Sequence, residues 1–237
     1  MSVNGRNTVK DAASSRRSIR GVHMTFAAPA AIEVLAGEIE FVYLDGEHGC
    51  FDWRDIETGC ITAERHALTP IARVPDTSTA TITRFLDRGV RGIVAPHVES
   101  MDDARKVIEC AYFAPLGARS FGAGRPEYGQ RIADKREYMQ ACNASISVCL
   151  MIESAAGIAI AGELAALPGV DYLSFGMLDL AQSLGHSGDA GHRDVKAAVE
   201  EASTRIRKAG KPVREDFMKY IWINDVLMAG ARQLFGA

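Results

Sequence analysis

No uninterrupted apolar run in the 237-residue chain reaches the roughly 18 residues a membrane-spanning helix needs, so no such helix is expected. The first twenty residues, MSVNGRNTVKDAASSRRSIR, contain no apolar run of about seven residues and are not read as a secretory signal. A basic surplus is also missing. Lys and Arg number 27 against 30 Asp and Glu, a net charge of −3, so neither nucleic acid nor an anionic membrane is the expected partner and a small molecule is. The five cysteines, Cys50, Cys60, Cys110, Cys142 and Cys149, form no CxxC pair. That argues against both a thiolate zinc centre and a disulfide framework and points to a reducing cytoplasm. GxxxxGK is absent, and Gly122-Ala123-Gly124 follows no strand, so a nucleotide phosphate loop is not expected. What is present, 47% apolar and 24% charged residues with 22 Gly and 8 Pro, describes a soluble globular protein with a substantial core.

Strand-length apolar runs alternate with helical spacing along the whole chain. Strands are expected at Gly21 to Phe26, Glu40 to Leu44, Thr69 to Arg73, Gly92 to Ala95, Ser147 to Ile152, Asp171 to Phe175, Lys211 to Arg214 and Ala231 to Phe235. Helices are expected after each of the first seven. The second opens behind Asp52 and the fourth behind Ser100, both good N-caps, and the last spans Phe217 to Ala229. A long Gly- and Pro-containing connection, Pro115 to Gln130, interrupts the pattern, and such loops are often functional. Eight strands in this length fit one α/β domain over residues 1–237, a (β/α)8 TIM barrel, better than the alternative doubly wound sheet.

In such a barrel the reactive groups lie at the C-terminal ends of the strands. There the sequence places Asp45-Gly46-Glu47-His48 after the second strand, Arg73 on the third, Glu153 after the fifth and Gly176-Met177-Leu178-Asp179 after the sixth. Singly, each has an ordinary explanation, Asp179 as a helix cap and Arg73 as an ion-pair partner. Jointly, two carboxylates can hold a hard divalent ion with positions left open for a chelating 2-oxo acid. Arg73 then suits an enolate oxygen or a carboxylate, and His48 suits proton transfer, with Asp45 or Asp87 orienting its ring. No lysine ends an expected strand, which disfavours Schiff-base chemistry. His23 and His97 are read as lining or core residues, and the thiols as packing.

Six segments, Leu44 to Gly49 (LDGEHG), Ile71 to Arg73 (IAR), Phe85 to Val98, Phe113 to Gly122, Met151 to Ser154 (MIES) and Phe175 to Gly185, resemble in order and spacing the HpcH/HpaI family of metal-dependent class II pyruvate aldolases. The resemblance implies Mg²⁺, Mn²⁺ or Co²⁺ held by Glu153 and Asp179, His48 as the base, Asp87 raising its basicity, Arg73 steadying the enolate, and Asp45 at the family's acidic loop position. It further implies cleavage of 4-hydroxy-2-oxo acids to pyruvate and an aldehyde by a homo-oligomer, a hexamer or a dimer. Three features depart from the family's pattern. Met151 stands where many members place a substrate-contacting Gln; Gly176-Met177-Leu178-Asp179 lacks the usual Pro where substrate oxygens approach the backbone; and the chain is expected to end after its last strand, lacking the last helix. The Met151 and Met177-Leu178 departures keep open a metal-enolate enzyme using an oxaloacetate-like donor, for decarboxylation or citrate-synthase-like condensation; a non-catalytic binding barrel is a further alternative, which the intact His48, Arg73, Glu153 and Asp179 count against.

Overall fold

The computed structural model describes residues 7–122 and 133–236. The expected Gly122-Ala123-Gly124 segment, the long connection beyond Gly122 and the first six residues therefore fall wholly or partly outside the described residues. Seven strands, β1 (Ile19–Met24), β2 (Phe41–Asp45), β3 (Thr69–Arg73), β4 (Gly92–Ala95), β5 (Ser147–Ile152), β6 (Tyr172–Phe175) and β7 (Met218–Trp222), form one sheet in the order β6-β5-β4-β3-β2-β1-β7. Every neighbouring pair is parallel. The first six strands lie where the apolar runs put them, within two residues.

Helices α2 (Pro29–Leu35), α3 (Trp53–Arg65), α4 (Thr79–Asp87) and α5 (Met101–Ala111) follow β1 to β4. The two anticipated caps are complete capping boxes, Asp52 with Asp55 opening α3 and Ser100 with Asp103 opening α5. Before β5 comes α6 (Lys135–Ser145), capped by Asp134, in a stretch beyond the expected Pro115 to Gln130 connection to which the sequence reading gave no element. After β5 the expected single helix breaks at Ile160 into α7 (Ala155–Ala159) and α8 (Ala161–Ala166). Helices α9 (Met177–Ser183) and α10 (Arg193–Lys208) follow β6, and α11 (Ile223–Phe235) follows β7.

The C-terminal quarter corrects the eight-strand expectation. Lys211 to Arg214 contributes only one bridge, Val213 to Leu173 on the free edge of β6, and then a single 3₁₀ turn at Arg214–Asp216. Asp216 accepts the Val213 N–H at 3.0 Å and grips Arg207 at 2.7 Å, turning the chain away from the sheet. The chain goes straight on into β7, which pairs with β1 over five residues from Ile19↔Met218 to His23↔Trp222. The stretch expected as the helix from Phe217 thus begins as a strand. Ala231 to Phe235, expected as a strand, is the end of α11, closed by Gly236 at φ +74°, the left-handed conformation glycine adopts readily. The last helix is present; the shortening is internal. The result is an α/β fold with a curled, parallel seven-stranded sheet, consistent with a (β/α) barrel that lacks part of its seventh unit.

Alternating side chains split the core in two. Val42, Leu44, Ala72 and Ile93 face the helices, whereas Phe41, Tyr43, Ile71, Val94, Cys149, Met151 and Tyr172 fill the hollow of the sheet. Helix α1 (Thr8–Ser15), unforeseen in a polar N-terminal segment, closes the bottom of that hollow with Val9, Ala12 and Ala13. Its cap, Asn7, also donates to the carbonyls of Arg91 at 2.8 Å and Ser145 at 2.6 Å, fastening α1 beneath the sheet. With the bottom plugged, the opposite end, where β2 to β6 terminate, is the open one.

Candidate active site

Parallel register sets Asp45, the last residue of β2, beside Arg73, the last of β3. Their side chains form a bidentate pair, Arg73 Nε to Asp45 Oδ1 at 3.0 Å and Nη2 to Oδ2 at 2.7 Å, the fork geometry that fixes a guanidinium plane. Asp45 is 1% exposed. It also takes His23 Nε2 from β1 at 3.2 Å on Oδ2, and the backbone N–H groups of Glu47 and His48 at 3.2 Å on Oδ1. Burial alone would raise the Asp45 carboxyl, but hydrogen bonds from His23 and Arg73 outweigh it and hold the group well below the ordinary carboxylate range. The same partnership overcomes the burial that would discharge Arg73 and raises its pKa. His23 is instead lowered, because burial outweighs the attraction of Asp45; this favours the neutral imidazole, which stacks on Trp222 at 3.9 Å, with Tyr43 tilted against it at 4.5 Å. His23 thus lines the hollow, as its sequence position indicated.

The Asp45-centred turn aims its two following side chains apart. Glu47 turns inward, Oε2 lying 3.1 Å from Arg73 Nη1 and Oε1 lying 3.0 Å from His97 Nε2. His48 points out; it is exposed, and its ring meets no hydrogen-bond partner among the described residues. His97, after β4, was expected to be lining or core. It is in fact over half exposed and bridges the site, its Nδ1 at 3.2 Å and its backbone N–H at 2.8 Å from Glu153 Oε2. A left-handed backbone, φ +52°, at a non-glycine residue makes this double contact. Sequence reasoning passed over both Glu47 and His97; Glu47 had a visible signal, since it lies inside the Asp-Gly-Glu-His turn.

Glu153 follows β5 and is 4% exposed. Burial raises its pKa, and the nearby charges of Glu47 and Asp179 add to the rise against the opposing pull of His97. Gly176, the N-cap of α9, makes room for this carboxylate: a Cβ there would sit 2.0 Å from Glu153 Oε1. Asp179 is the third residue of α9 and does not cap it. It is exposed at the rim, with no hydrogen-bond partner among the described residues. Met177 is half-buried, Leu178 is 63% exposed, and Met151 is buried in the hollow beneath Glu153.

Asp87 stands apart. Its carboxylate is taken by Arg119 at 2.8 Å, and it lines a surface groove with Thr79, Thr83, Arg84 and Arg88. The expected partnership of Asp87 with the His48 ring is not formed within the chain, and Asp45 holds the His48 backbone rather than its imidazole. Of the other carboxylates, Glu47 is paired with Arg73 and His97, whereas Glu153 keeps one oxygen and Asp179 keeps both without a hydrogen-bond partner among the described residues, and carboxylate oxygens of this kind suit a hard divalent cation.

The family model described as HpcH/HpaI aldolase/citrate lyase matches residues 21–232. The chain belongs to this family. A hydroxypyruvate/pyruvate aldolase of Roseovarius nubinhibens is 34% identical over 206 residues, covering 86% of this chain and 80% of the relative. A 4-hydroxy-4-methyl-2-oxoglutarate aldolase of Chaetomium globosum is 34% identical over 209 residues, covering 86% of this chain and 77% of its own. The crystal structure of an HpcH/HpaI aldolase/citrate lyase family protein from Burkholderia cenocepacia superposes with a TM-score of 0.87 at 29% identity, over 97% of this chain and 98% of that one. The protein is accordingly an aldolase/lyase-type enzyme, with relatives that act on pyruvate and other 2-oxo acids. No described helix is long and apolar enough to cross a membrane.

Proposed function

We propose that the protein is a divalent-metal-dependent aldolase that makes and cleaves hydroxylated 2-oxo acids through the enolate of pyruvate. The observation that carries this reading is the bidentate pairing of Arg73 with Asp45 at neighbouring strand ends, with Glu153 following β5 and Asp179 in the first turn of the helix after β6. The two carboxylates fit a hard cation such as Mg²⁺ or Mn²⁺: Glu153 Oε1 has no hydrogen-bond partner among the described residues, and Gly176 keeps space beside it. When bound there, the ion supplies Lewis-acid polarisation of the substrate carbonyl.

The chain's own groups account for the rest. Three of Arg73's five N–H donors face Asp45 and Glu47, so the remaining ones can meet the carboxylate or developing enolate oxygen of a 2-oxo acid. His48, free at the rim, takes the proton from the 4-hydroxyl as the carbon–carbon bond breaks to aldehyde and enolate. A proton then returns to the methylene carbon, giving pyruvate; in synthesis the steps reverse. Asp45 and His23 set the guanidinium plane without touching substrate. The named activities of the relatives support the choice of 2-oxo acid.

Exchange of pyruvate's methyl protons with deuterated water tests the enolate step apart from any aldehyde. The expected result is exchange with Mn²⁺ or Mg²⁺, none after EDTA, and a loss of ~10²–10⁴-fold in His48→Ala. Undiminished exchange in EDTA would remove the metal-enolate reading, and an unchanged rate in His48→Ala would remove that residue as the base.

A further inference from the structure

Away from the mouth, residues 184–192 connect α9 to α10 and bring together His186, His192 and Asp194, whose ligand-type atoms all lie within 4.8 Å of one another. The backbone holds both ends of this cluster. At the end of α9, the Gly185 N–H bonds the Gln182 carbonyl at 3.0 Å and the His186 N–H bonds the Ala181 carbonyl at 2.7 Å. With Gly185 at φ +83°, this is the helix-closing arrangement that fixes His186 just beyond the last turn. Two further turns follow, Asp189 N–H to His186 carbonyl at 3.0 Å and His192 N–H to Asp189 carbonyl at 3.1 Å, and they fold the chain back on itself. His192 then caps α10, and Asp194 lies in its first turn.

The folded loop stacks the two imidazoles at 3.6 Å with 19° between their planes. Asp194 Oδ2 lies 3.3 Å from His186 Nε2 and 3.7 Å from His192 Nδ1. Ligand bonds of ~2.0–2.1 Å in a tetrahedral site place neighbouring donor atoms about 3.3 Å apart, so the observed spacings are already close to those a bound ion needs.

We infer that His186, His192 and Asp194 form a second metal site that takes a borderline transition-metal ion, Zn²⁺, Co²⁺ or Ni²⁺, and clips α9 to α10. Two imidazoles and one carboxylate select these ions over Mg²⁺, which prefers oxygen donors. Stacked rings do not yet aim both lone pairs at one point. The second side-chain torsion of a histidine is soft and both rings are only partly buried, so reorienting them to face one ion meets little resistance. On binding, the His192 Nδ1 exchanges the Asp194 backbone N–H it now accepts at 3.2 Å for the ion. A water would complete the fourth position. Arg193 approaches only the other carboxylate oxygen of Asp194, Oδ1, at 3.4 Å. The site is independent of the aldolase reading, since none of its residues belongs to the mouth.

Zn²⁺ titration of metal-free protein, followed by calorimetry and by the thermal midpoint, tests the inference. The variant Glu153→Gln/Asp179→Asn removes the carboxylate pair at the mouth. It should still bind one equivalent of Zn²⁺, with a rise in melting temperature that Mg²⁺ at the same concentration does not produce. Adding His186→Ala and His192→Asn should abolish both effects. Asn retains the helix cap, so the metal-free melting temperature of that variant should stay close to its parent. His186→Ala alone, which leaves the cap untouched, should also lose the equivalent. A mouth-deficient protein that binds no stoichiometric Zn²⁺, or binding that survives loss of both imidazoles, overturns the site.

Discussion

Gly176→Ala is the sharpest perturbation of the mouth, because it adds one methyl group and changes no charge. The glycine has φ −91°, a conformation alanine adopts without strain, so its effect must be steric. A Cβ would stand 2.0 Å from Glu153 Oε1 and 2.7 Å from Cδ. Ordinary contact distances of about 3.5 Å therefore require the carboxylate to retreat by more than about 1 Å. That retreat is opposed, since Glu153 is almost fully buried and its other oxygen accepts the His97 N–H at 2.8 Å. Overpacking of this kind costs about 1–3 kcal/mol. In a chain of this size that lowers the melting temperature by about 2–4 °C for each kcal/mol. A misplacement of about 1 Å in a site that orients substrate costs on the order of 10²-fold in rate, beyond what the stability change explains. Gly230→Ala in α11 is the matched control: nothing lies within 4 Å of its Cβ position, and a mid-helix alanine should stabilise by roughly 0.5–1 kcal/mol with unchanged turnover. Melting temperature and aldol turnover are measured on both. Wild-type turnover in Gly176→Ala would refute the assignment of Glu153 to the reacting centre.

Two other substitutions probe the arginine clamp. Asp45→Asn leaves the Arg73 charge without its bidentate partner and should cost about 3–5 kcal/mol at neutral pH, read from urea midpoints. Because the Asp45 carboxyl is depressed on folding, its contribution is present above the unfolded value of about 3.9 and is lost as pH falls below it. The gap between wild type and variant should therefore close on acidification through that region; a gap independent of pH would mean that Asp45 is not the titrating group. Arg73→Lys should fold yet lose more than about 10²-fold in kcat, since an ammonium cannot reproduce the planar fork that joins Asp45 to the substrate position. Near-normal kcat would show that only charge is needed there.

Much of the molecule was legible without coordinates, and for local reasons. Strand-length apolar runs placed β1 to β6, and the caps at Asp52 and Ser100 depend on residues three apart in the chain. The residues expected to carry chemistry at the strand ends, Asp45, His48, Arg73, Glu153 and Asp179, came from counting outward from those runs. Parallel pairing then made Asp45 and Arg73 neighbours, a long-range contact at the mouth that strand order alone implies.

What sequence reading missed depends on partners far away in the chain. Glu47 and His97 belong to the site because a turn hung on Asp45 and a left-handed residue after β4 bring them to Arg73 and Glu153. Asp87 accepts from Arg119, a residue 32 positions later. The polar segment around α1 became a helix because the bottom of the sheet needed a plug, which Val9, Ala12 and Ala13 supply. The run Met218–Trp222 has spacing compatible with either helix or strand, and the exposed edge of β1 decided for strand by offering five residues of backbone partners. Apolar periodicity records which side of a segment is buried; which element buries it, and which carboxylate an arginine reaches, is settled only when distant segments compete for the same space and the same hydrogen bonds.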